Sequence, residues 1–465
     1  MRAPSALVVG GLALVLVAGG SAGLAARSGR TDAAGPSARV GAIYFDGWAC
    51  PLSNFHFNGL LKGPYSTRRP LSGWRDDSLD AMRAQLRWAH ADGIGFFLFD
   101  WYREGIDPCL NVAHDNYLRL HDHAGVGFAL LYVNHDPFGV PPAAWPALAE
   151  QWVTRDFLSR GYERVDGKPL LVIFDTTLFR QQQGGTAGVN AALGALRDAA
   201  KRHGLPGVFV VGGRYTDYLN ADCFPGCDAT DGGPAGLPHE TYDALTEYAY
   251  TGAVPPVDGP RSYGEFAAAK ELNWEQFDQK SPVPYVPSVM DGWDPRPWNE
   301  RPYGHLFWLD RTPKAVGGFL GDAVSWVGSH PRMQVEPAGS PPLVLLEAWN
   351  ELGEGGYVLP TDGDGFSYGR ALAQALGIAW APPPRRGILV RTSRVGTVKS
   401  SRLGVSCPPK CRVSVANGQL VAFTARPRRG YAFGGWRGAC GPASRTCSFI
   451  VLRNSIVRAL FRKRR

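Results

Sequence analysis

Two glutamates three residues apart are the side chains of this chain best placed to do chemistry. Glu351 and Glu354 follow the apolar run Leu343–Leu346, which is typical of a fully buried strand. The loop that carries them is rich in glycine, and glycines permit a tight turn that leaves room for a ligand. Paired carboxylic acids are the usual equipment for cleaving a glycosidic bond. The competing interpretation is two solvated glutamates in a surface turn.

Short apolar strands alternate with amphipathic helices between Val40 and Trp380, a pattern that favours a parallel sheet. Eight segments are predicted to be strands: Gly41–Phe45, Gly95–Phe99, Gly127–Val133, Leu170–Phe174, Val208–Gly212, Leu245–Tyr250, Tyr285–Met290 and Leu343–Ala348. Predicted helices include Ser78–Ala91, Ala143–Arg160 and Ala187–His203. This α/β pattern points to a (β/α)8 TIM-type barrel with long loops. A doubly wound open sheet is the alternative, but no glycine-rich nucleotide fingerprint follows the first strand.

Barrels of this type place their active site at the C-terminal ends of the strands. The residues at those predicted ends form the candidate substrate-binding set: Tyr44, Asp46, Asp100, Trp101, Tyr102, Asn134, His135, Asp291, Trp293, Asp294, Trp349 and Asn350. Asp175, Arg214 and Tyr215 lie at two further ends. Rings stack on sugar faces and carboxylates bind hydroxyls, so this rim is typical of a carbohydrate cleft. The structural alternative is a helix N-cap for Asp46, Asp100 and Asp175, and core packing for the aromatic residues.

The N-terminus has the pattern of a targeting segment, with a basic start at Met1-Arg2 and an apolar run over Ala6–Gly20. Residues 1–26 are predicted to be a signal peptide or an uncleaved membrane anchor, because the run is near the lower limit for a membrane span. Residues 27–39 are predicted to be a disordered tether. Both alternatives imply export, so we expect a secreted or cell-envelope-associated protein.

An even number of cysteines fits an oxidising compartment and makes all of them disulfide candidates: Cys50, Cys109, Cys223, Cys227, Cys407, Cys411, Cys440 and Cys447. Cys407 and Cys411 are expected to pair with Cys440 and Cys447 in an order that the sequence leaves open. The short separation of Cys223 and Cys227 suggests a local loop, which leaves Cys50 with Cys109. Zinc is the alternative for the last four, but their spacings are not those of common zinc sites. We predict no metal and no cofactor.

Charge divides the chain near Trp380. Residues 381–465 hold 19 of the 49 Lys and Arg and none of the 41 Asp and Glu, which leaves 30 basic and 41 acidic residues, a net charge of −11, for the remainder. Such a shift marks a domain boundary. We therefore expect a barrel at 40–380, a Pro/Arg linker at 381–395 and a basic, disulfide-stapled all-β domain at 396–465. This arrangement predicts that the basic domain is a separable electrostatic module.

The segment Asn350–Gly355, NELGEG, resembles the Asn-Glu-x-x-Glu-Gly signature of glycoside hydrolase family 99, which holds endo-acting α-mannosidases and mannanases on a (β/α)8 barrel. The segment Pro284–Pro297 and the opening GAIYFDGW are similar to the related WbsX-like proteins of polysaccharide gene clusters, often labelled glycosyltransferases. The resemblance covers roughly residues 40–380. It implies a retaining hydrolase in which Glu354 is the general acid/base and Glu351 the base acting on the sugar's own 2-hydroxyl.

The segment Gly430–Cys440, GYAFGGWRGAC, resembles the divergent internalin B-type repeat of bacterial surface and secreted proteins. The resemblance implies a bacterial protein in which Trp436 and the cysteines are structural. The basic charge of this domain favours an anionic cell-envelope polymer or a membrane surface as partner, and no recognition motif indicates specific nucleic acid.

Three functions compete at this stage. The barrel motifs favour an exported glycosidase acting on a glycan. A glycosyltransferase of envelope polysaccharide synthesis would need a sugar-nucleotide site, which the sequence does not show, and such donors are cytoplasmic. A catalytically inactive carbohydrate-binding protein would keep the aromatic cleft without needing both glutamates.

Overall fold

A computed structural model describes residues 36–49, 59–214, 239–248, 259–298, 307–441 and 444–464. The predicted targeting segment at 1–26 lies outside these residues, as do Cys50, Cys223, Cys227 and Tyr215. The predicted tether to residue 39 is too long, because Ala38 is already fully buried and Ser37 donates a backbone hydrogen bond to Leu376. Within the described ranges, no helix has the length and apolar character needed to cross a membrane.

The eight predicted strands are all present and parallel. They are β1 Arg39–Tyr44, β2 Ile94–Trp101, β3 Gly127–Tyr132, β4 Lys168–Ile173, β5 Phe209–Arg214, β6 Ala244–Glu247, β7 Ser288–Met290 and β8 Leu343–Glu347. Each pairs with the next along the chain except β6 with β7, and β8 pairs with β1. A parallel bridge from Leu245 to Tyr285, just before β7, completes the ring. The sheet is therefore a barrel, and the open-sheet alternative is wrong.

Helices cover the outside of the barrel. They are α1 Leu79–Asp92, α2 Val112–Leu118, α3 Trp145–Trp152, α4 Thr176–Gln183, α5 Thr186–Arg202, α6 Tyr263–Lys280, α7 Pro313–Ser329 and α8 Ser367–Ala375. The prediction of one helix from Ala143 to Arg160 is only partly right, because a π-helical turn at Val153–Phe157 follows α3. Alternate strand residues are buried against these helices, which is why the strands read as continuous apolar runs.

The C-terminal β domain consists of two four-stranded sheets. Its strands are β9 Arg385–Arg391, β10 Gly396–Ser400, β11 Val405–Cys407, β12 Arg412–Ala416, β13 Leu420–Pro427, β14 Tyr431–Gly438, β15 Thr446–Ile450 and β16 Ser455–Lys463. The sheet orders are β12–β9–β16–β14 and β11–β10–β13–β15, and buried residues of both sheets form one core. Trp436 is in that core, as the structural interpretation predicts.

Two features of this domain correct the sequence analysis. The middle of the predicted linker is strand β9, whose buried Ile388 and Val390 alternate with exposed or half-buried neighbours. The disulfides join Cys407 to Cys411 and Cys440 to Cys447, so the predicted pairing between the two groups is wrong. Each bridge closes a short turn, and the Cα atoms it joins are 4.6 and 5.7 Å apart. Turn geometry, which spacing alone did not specify, brings these neighbours together.

The C-terminal domain packs directly on the barrel. Trp88 of α1 donates its indole N–H to the carbonyl of Asn417 at 3.1 Å, and Leu420 N donates to Leu71 O at 2.7 Å. Ile450 of β15 belongs to the hydrophobic core of the barrel. Removing the domain would expose this apolar surface, so the prediction of a separable module does not agree with the contacts.

Candidate functional site

Both candidate glutamates lie on a β-hairpin directly after β8. Its first arm, Asn350–Glu351, pairs antiparallel with Gly356–Tyr357, which leaves Glu354 in the connecting turn. Gly355 in this turn has φ +79°, and a Cβ atom at that position would lie 2.9 Å from the backbone nitrogen of Asp294. Only glycine adopts this conformation without strain and fits this contact. The glycine-rich sequence therefore determines the shape of the turn that presents Glu354.

The hairpin is fixed to the ends of neighbouring strands. The side-chain amide of Asn350 accepts a hydrogen bond from Phe45 N at 2.8 Å and donates one to Phe45 O at 2.7 Å. Trp48 donates its indole N–H to Asn350 O at 3.1 Å. Arg68 donates to Leu352 O at 3.2 Å in the turn and forms an ion pair with Asp294. Because its side-chain amide is bonded to the backbone of Phe45, Asn350 positions the hairpin.

Four carboxyl groups converge beside the hairpin: Asp100, Glu347, Glu351 and Glu354, which are 2, 0, 3 and 5 % exposed. Asp100 is on the same face of β2 as Phe96, and Phe96 is paired with Gly41 of β1. Glu347 is on the same face of β8 as Leu345, which is also paired with Gly41. Both carboxyls therefore point into the barrel, where the hairpin adds Glu351 and Glu354 from above. Oε2 of Glu351 is buried and accepts no hydrogen bond from the described residues.

Burial and mutual repulsion raise the pKa values of Asp100, Glu347 and Glu351. Burial is the largest cause for Glu351, followed by the charges of Glu354, Asp100 and Glu347, and its pKa is well above the ordinary value. Burial followed by the charge of Glu354 raises the pKa of Asp100, and the same two causes raise that of Glu347. Four buried carboxyls cannot all be ionised at once. A carboxyl that keeps its proton is the form that general acid catalysis needs.

Two tyrosines border the carboxyl cluster. Burial, followed by the charges of Asp100 and Glu351, raises the pKa of both Tyr102 and Tyr248 well above the ordinary value. His135 is half-buried, and its ring centroid is 6.5 Å from that of Tyr102. The structure thus places the predicted residues Asp100, Tyr102 and His135 at the site, together with Tyr248, which the sequence analysis did not select.

Asp291, Trp293 and Asp294 follow β7, and Asp291 and Asp294 lie beside the glycines Gly356 and Gly355 of the hairpin. Asp291 is fully buried near Glu347, and its Oδ1 is 3.8 Å from Nη2 of Arg311. Burial raises the pKa of Asp291 well above the ordinary value, although Arg311 opposes this. Burial would also raise the pKa of Asp294, but ion pairs with Arg296 and Arg68 leave it below the ordinary value. Trp293, which comes between these two residues in the sequence, is buried.

Several predicted site residues have structural roles away from the carboxyl cluster. Tyr44 packs on Phe97 and Phe99, Trp101 packs on Trp152, and Trp349 packs on Phe97 and donates to Gln85, all between the barrel and its helices. Asp46 accepts from Ala113 N at the start of α2, and Asp175 is the N-cap of α4. Asn134 exchanges hydrogen bonds with the backbone of Asp175. The helix-cap and core alternatives are therefore correct for these residues.

The sequence analysis missed Glu347, Arg68 and Arg311. Glu347 had a detectable signal, because it is a carboxylate in the apolar run Leu343–Ala348 with the same period-two spacing as the inward-facing Leu345. Arg311 donates to the backbone oxygens of Asp291 and Tyr357, and so joins β7 to the hairpin. Both arginines act on loops distant in sequence, and no local pattern marks them. Among the described residues, no group of three or more His, Cys, Asp and Glu has a geometry suited to a metal ion.

Comparisons with known proteins agree with this architecture. Residues 144–372 match the family described as "Glycosyltransferase WbsX", and residues 397–465 match the "Divergent InlB B-repeat domain". A solved structure described as "Glycoside hydrolase-like protein" is 18 % identical, with a TM-score of 0.53, over 75 % of this chain and 96 % of its own. A family 99 endo-α-mannosidase from Bacteroides thetaiotaomicron is 16 % identical, with a TM-score of 0.47, over 72 % of this chain and 98 % of its own. Comparison with curated protein sequences gave no match.

These findings confirm both resemblances stated from the sequence. At such identities the likeness to solved structures concerns the fold, which is shared with glycoside hydrolases. The chain thus combines a glycoside hydrolase-like (β/α)8 barrel, whose residues 144–372 match the WbsX family, with a C-terminal divergent InlB B-repeat domain.

Proposed function

We propose that this protein is an exported, retaining glycoside hydrolase of the endo-α-mannosidase or mannanase type, acting on a polysaccharide or other glycan. The observation that carries the proposal is the cluster of four buried carboxyls at the C-terminal ends of the barrel strands. Two of them, Glu351 and Glu354, are presented by a hairpin that the rest of the site holds in place. A cluster that shares protons can offer an acid and a base at the same pH.

The proposed reaction uses each glutamate twice. Glu354 donates a proton to the leaving glycosidic oxygen while Glu351 removes the proton of the sugar's 2-hydroxyl, whose oxygen closes onto the anomeric carbon. This closure forms a three-membered ring of the 2-oxygen, C2 and the anomeric carbon. Water then opens the three-membered ring at the anomeric carbon, Glu354 takes the proton of that water, and Glu351 returns its proton to the 2-oxygen. Two inversions give net retention, and both glutamates end in their starting states.

Asp100 and Glu347 support this cycle electrostatically. Their charges favour protonation of neighbouring carboxyls, since like charges in a buried site disfavour ionisation. Tyr102 and Tyr248 border the same space, and aromatic rings with a hydroxyl suit a sugar that presents both apolar faces and polar edges.

The matched family description favours a second candidate, a glycosyltransferase of envelope polysaccharide synthesis. The two activities share the chemistry of the anomeric carbon and differ in whether water or a sugar hydroxyl accepts the glycosyl group. A non-catalytic carbohydrate-binding protein is the third candidate. It would bind a sugar beside the carboxyl cluster without needing protons on the cluster. The proposal also includes export to the cell envelope. There the basic C-terminal domain would be attracted to an anionic polymer or a membrane surface.

A panel of α-mannans and envelope glycans incubated with the purified protein tests these candidates. We expect new reducing ends in at least one glycan, with proton NMR showing first the anomer of the substrate's own configuration. Transfer to an added acceptor only in the presence of a sugar nucleotide would instead identify a glycosyltransferase. Binding without any turnover would identify the non-catalytic protein.

A further inference from the structure

A cleft of about 510 Å³ is lined mainly by the C-terminal β domain, with Arg69 of the barrel beside it. Four cationic side chains line it: Arg69 from the barrel, and Lys399, Arg402 and Arg426 from the β domain. The hydroxyl groups of Ser400, Ser401, Ser406 and Thr424 complete much of its polar lining. The β domain forms most of this cleft, and the barrel adds the cation of Arg69.

Positive charge exceeds negative charge in this cleft. Arg69 and Arg402 both pair with a single carboxylate, that of Asp362. Lys399 and Arg426 are exposed, and neither forms an ion pair with any of the described residues. One carboxylate thus faces four cations, and exposed cations that have no partner of their own are available to an anionic ligand.

The cleft shares two chain segments with the candidate active site. Residues 67–71 run antiparallel to residues 360–363, with hydrogen bonds from Leu71 N to Pro360 O at 2.8 Å and from Asp362 N to Arg69 O at 2.9 Å. The consecutive side chains Arg68 and Arg69 contact different partners. Arg68 bonds to Leu352 O in the glutamate hairpin, whereas Arg69 pairs with Asp362 in the cleft. Neighbouring side chains of one segment thus contact the glutamate hairpin and line the basic cleft.

We propose that this cleft binds the acidic groups of the substrate chain, carboxylates or phosphates, and that the substrate is an anionic polysaccharide. This inference rests on the proposed function and names the class of its substrate. Acidic sugars bound between Arg69, Lys399, Arg402 and Arg426 would hold the polymer next to the carboxyl cluster, which itself has no charge that attracts an anion. The cationic groups would then supply affinity at a distance from the bond that is cleaved.

Affinity electrophoresis of the full chain tests the proposal with four probes: polygalacturonate, a phosphomannan, a neutral mannan, and vesicles of phosphatidylcholine with phosphatidylglycerol. The test variant is Lys399→Gln with Arg426→Gln. The matched control is Arg453→Gln with Lys463→Gln, which removes the same two charges from exposed positions that do not line the cleft. Thermal unfolding establishes that both double variants fold as the parent does.

We expect tighter binding to at least one acidic polymer than to neutral mannan, and the two acidic probes distinguish carboxylate from phosphate. The cleft variant should weaken that binding about fivefold or more, because two exposed charge contacts are lost, whereas the control should change it about twofold or less. Equal weakening by both variants, binding to vesicles alone, or equal affinity for neutral mannan would overturn the proposal. If no glycan is hydrolysed but binding still depends on Lys399 and Arg426, the proposed function fails and the cleft assignment stands.

Discussion

The barrel and the C-terminal β domain use charge in opposite ways. The barrel gathers four carboxyls of like charge in its interior, where they are at most 5 % exposed, and burial raises the pKa values of Asp100, Glu347 and Glu351. The β domain carries only basic charge, and its cations Lys399 and Arg426 are exposed on strand surfaces. Buried charges interact strongly over short distances, whereas exposed charges interact weakly and are screened by salt. The comparison suggests that chemistry belongs to the first region and attraction of a polymer to the second.

The largest expected effect comes from removing the buried acids. Glu351→Gln and Glu354→Gln should each lower turnover by about a hundredfold or more, because each removes a proton donor or acceptor while nearly preserving shape. Steady-state kinetics on the best glycan of the panel would measure this. Glu265→Gln, an exposed glutamate on α6, is the control and should leave turnover unchanged. Full activity in either hairpin variant would show that the assigned roles are wrong.

A second prediction concerns Asp92, a buried carboxyl outside the cluster. Burial raises its pKa from 3.8 to about 7, although a hydrogen bond from Trp380 opposes this. The folded state therefore keeps a proton that the unfolded state has already released, so the free energy of unfolding falls as pH rises from about 4 to about 7. Asp92→Asn should remove roughly 2–4 kcal/mol of this decline.

Urea unfolding at pH 5 and at pH 8 would measure the effect of Asp92. The control is Asp122→Asn, because that side chain is 76 % exposed and should leave the pH dependence as it is. An unchanged slope in Asp92→Asn would mean that this carboxyl titrates as an ordinary exposed one.

A smaller effect is expected from Gly355, whose backbone shapes the turn before the second arm of the hairpin. Gly355→Ala should lower the free energy of unfolding by about 2–3 kcal/mol, from left-handed strain and the contact with Asp294, and should also lower turnover. Gly105→Ala is the matched control, because Gly105 has φ +84° and nothing within 4 Å of its added Cβ. It should cost only the left-handed strain, about 1 kcal/mol, with turnover unchanged. Equal losses of unfolding free energy in the two variants would show that the contact with Asp294 contributes nothing.

The smallest effect concerns salt, and it sharpens the contrast between the two regions. Hydrolysis of a small neutral glycan should change by about twofold or less between about 0.05 and 0.5 M salt, because the acids are buried. Binding of an acidic polymer should weaken over the same range, because exposed charges are screened within about 10 Å at 0.1 M. Parallel salt dependence of both measurements would contradict the division between the regions.

Much of the fold could be predicted because the spacing of apolar residues along the chain indicates its strands and helices. Buried parallel strands read as apolar runs, so all eight strands were found, although their ends differ by a few residues. Charge composition also predicted a boundary between barrel and β domain near Trp380. The linker and the disulfide pairing were less accessible, because β9 has only a short alternating pattern and pairing depends on which turns close.

For the site, local sequence is enough to predict the hairpin. Glu351 and Glu354 follow a buried strand, and Gly355, which the turn requires, comes directly after Glu354. The surroundings of the two glutamates follow from the packing of the whole barrel. Asp100 and Glu347 join the cluster because alternate residues of β2 and β8 face the same barrel interior, whereas Tyr44, Trp101 and Trp349 turn outward to pack on helices or other rings. A strand end marks a residue as near the rim, but the direction of its side chain follows from sheet pairing, which joins segments hundreds of residues apart.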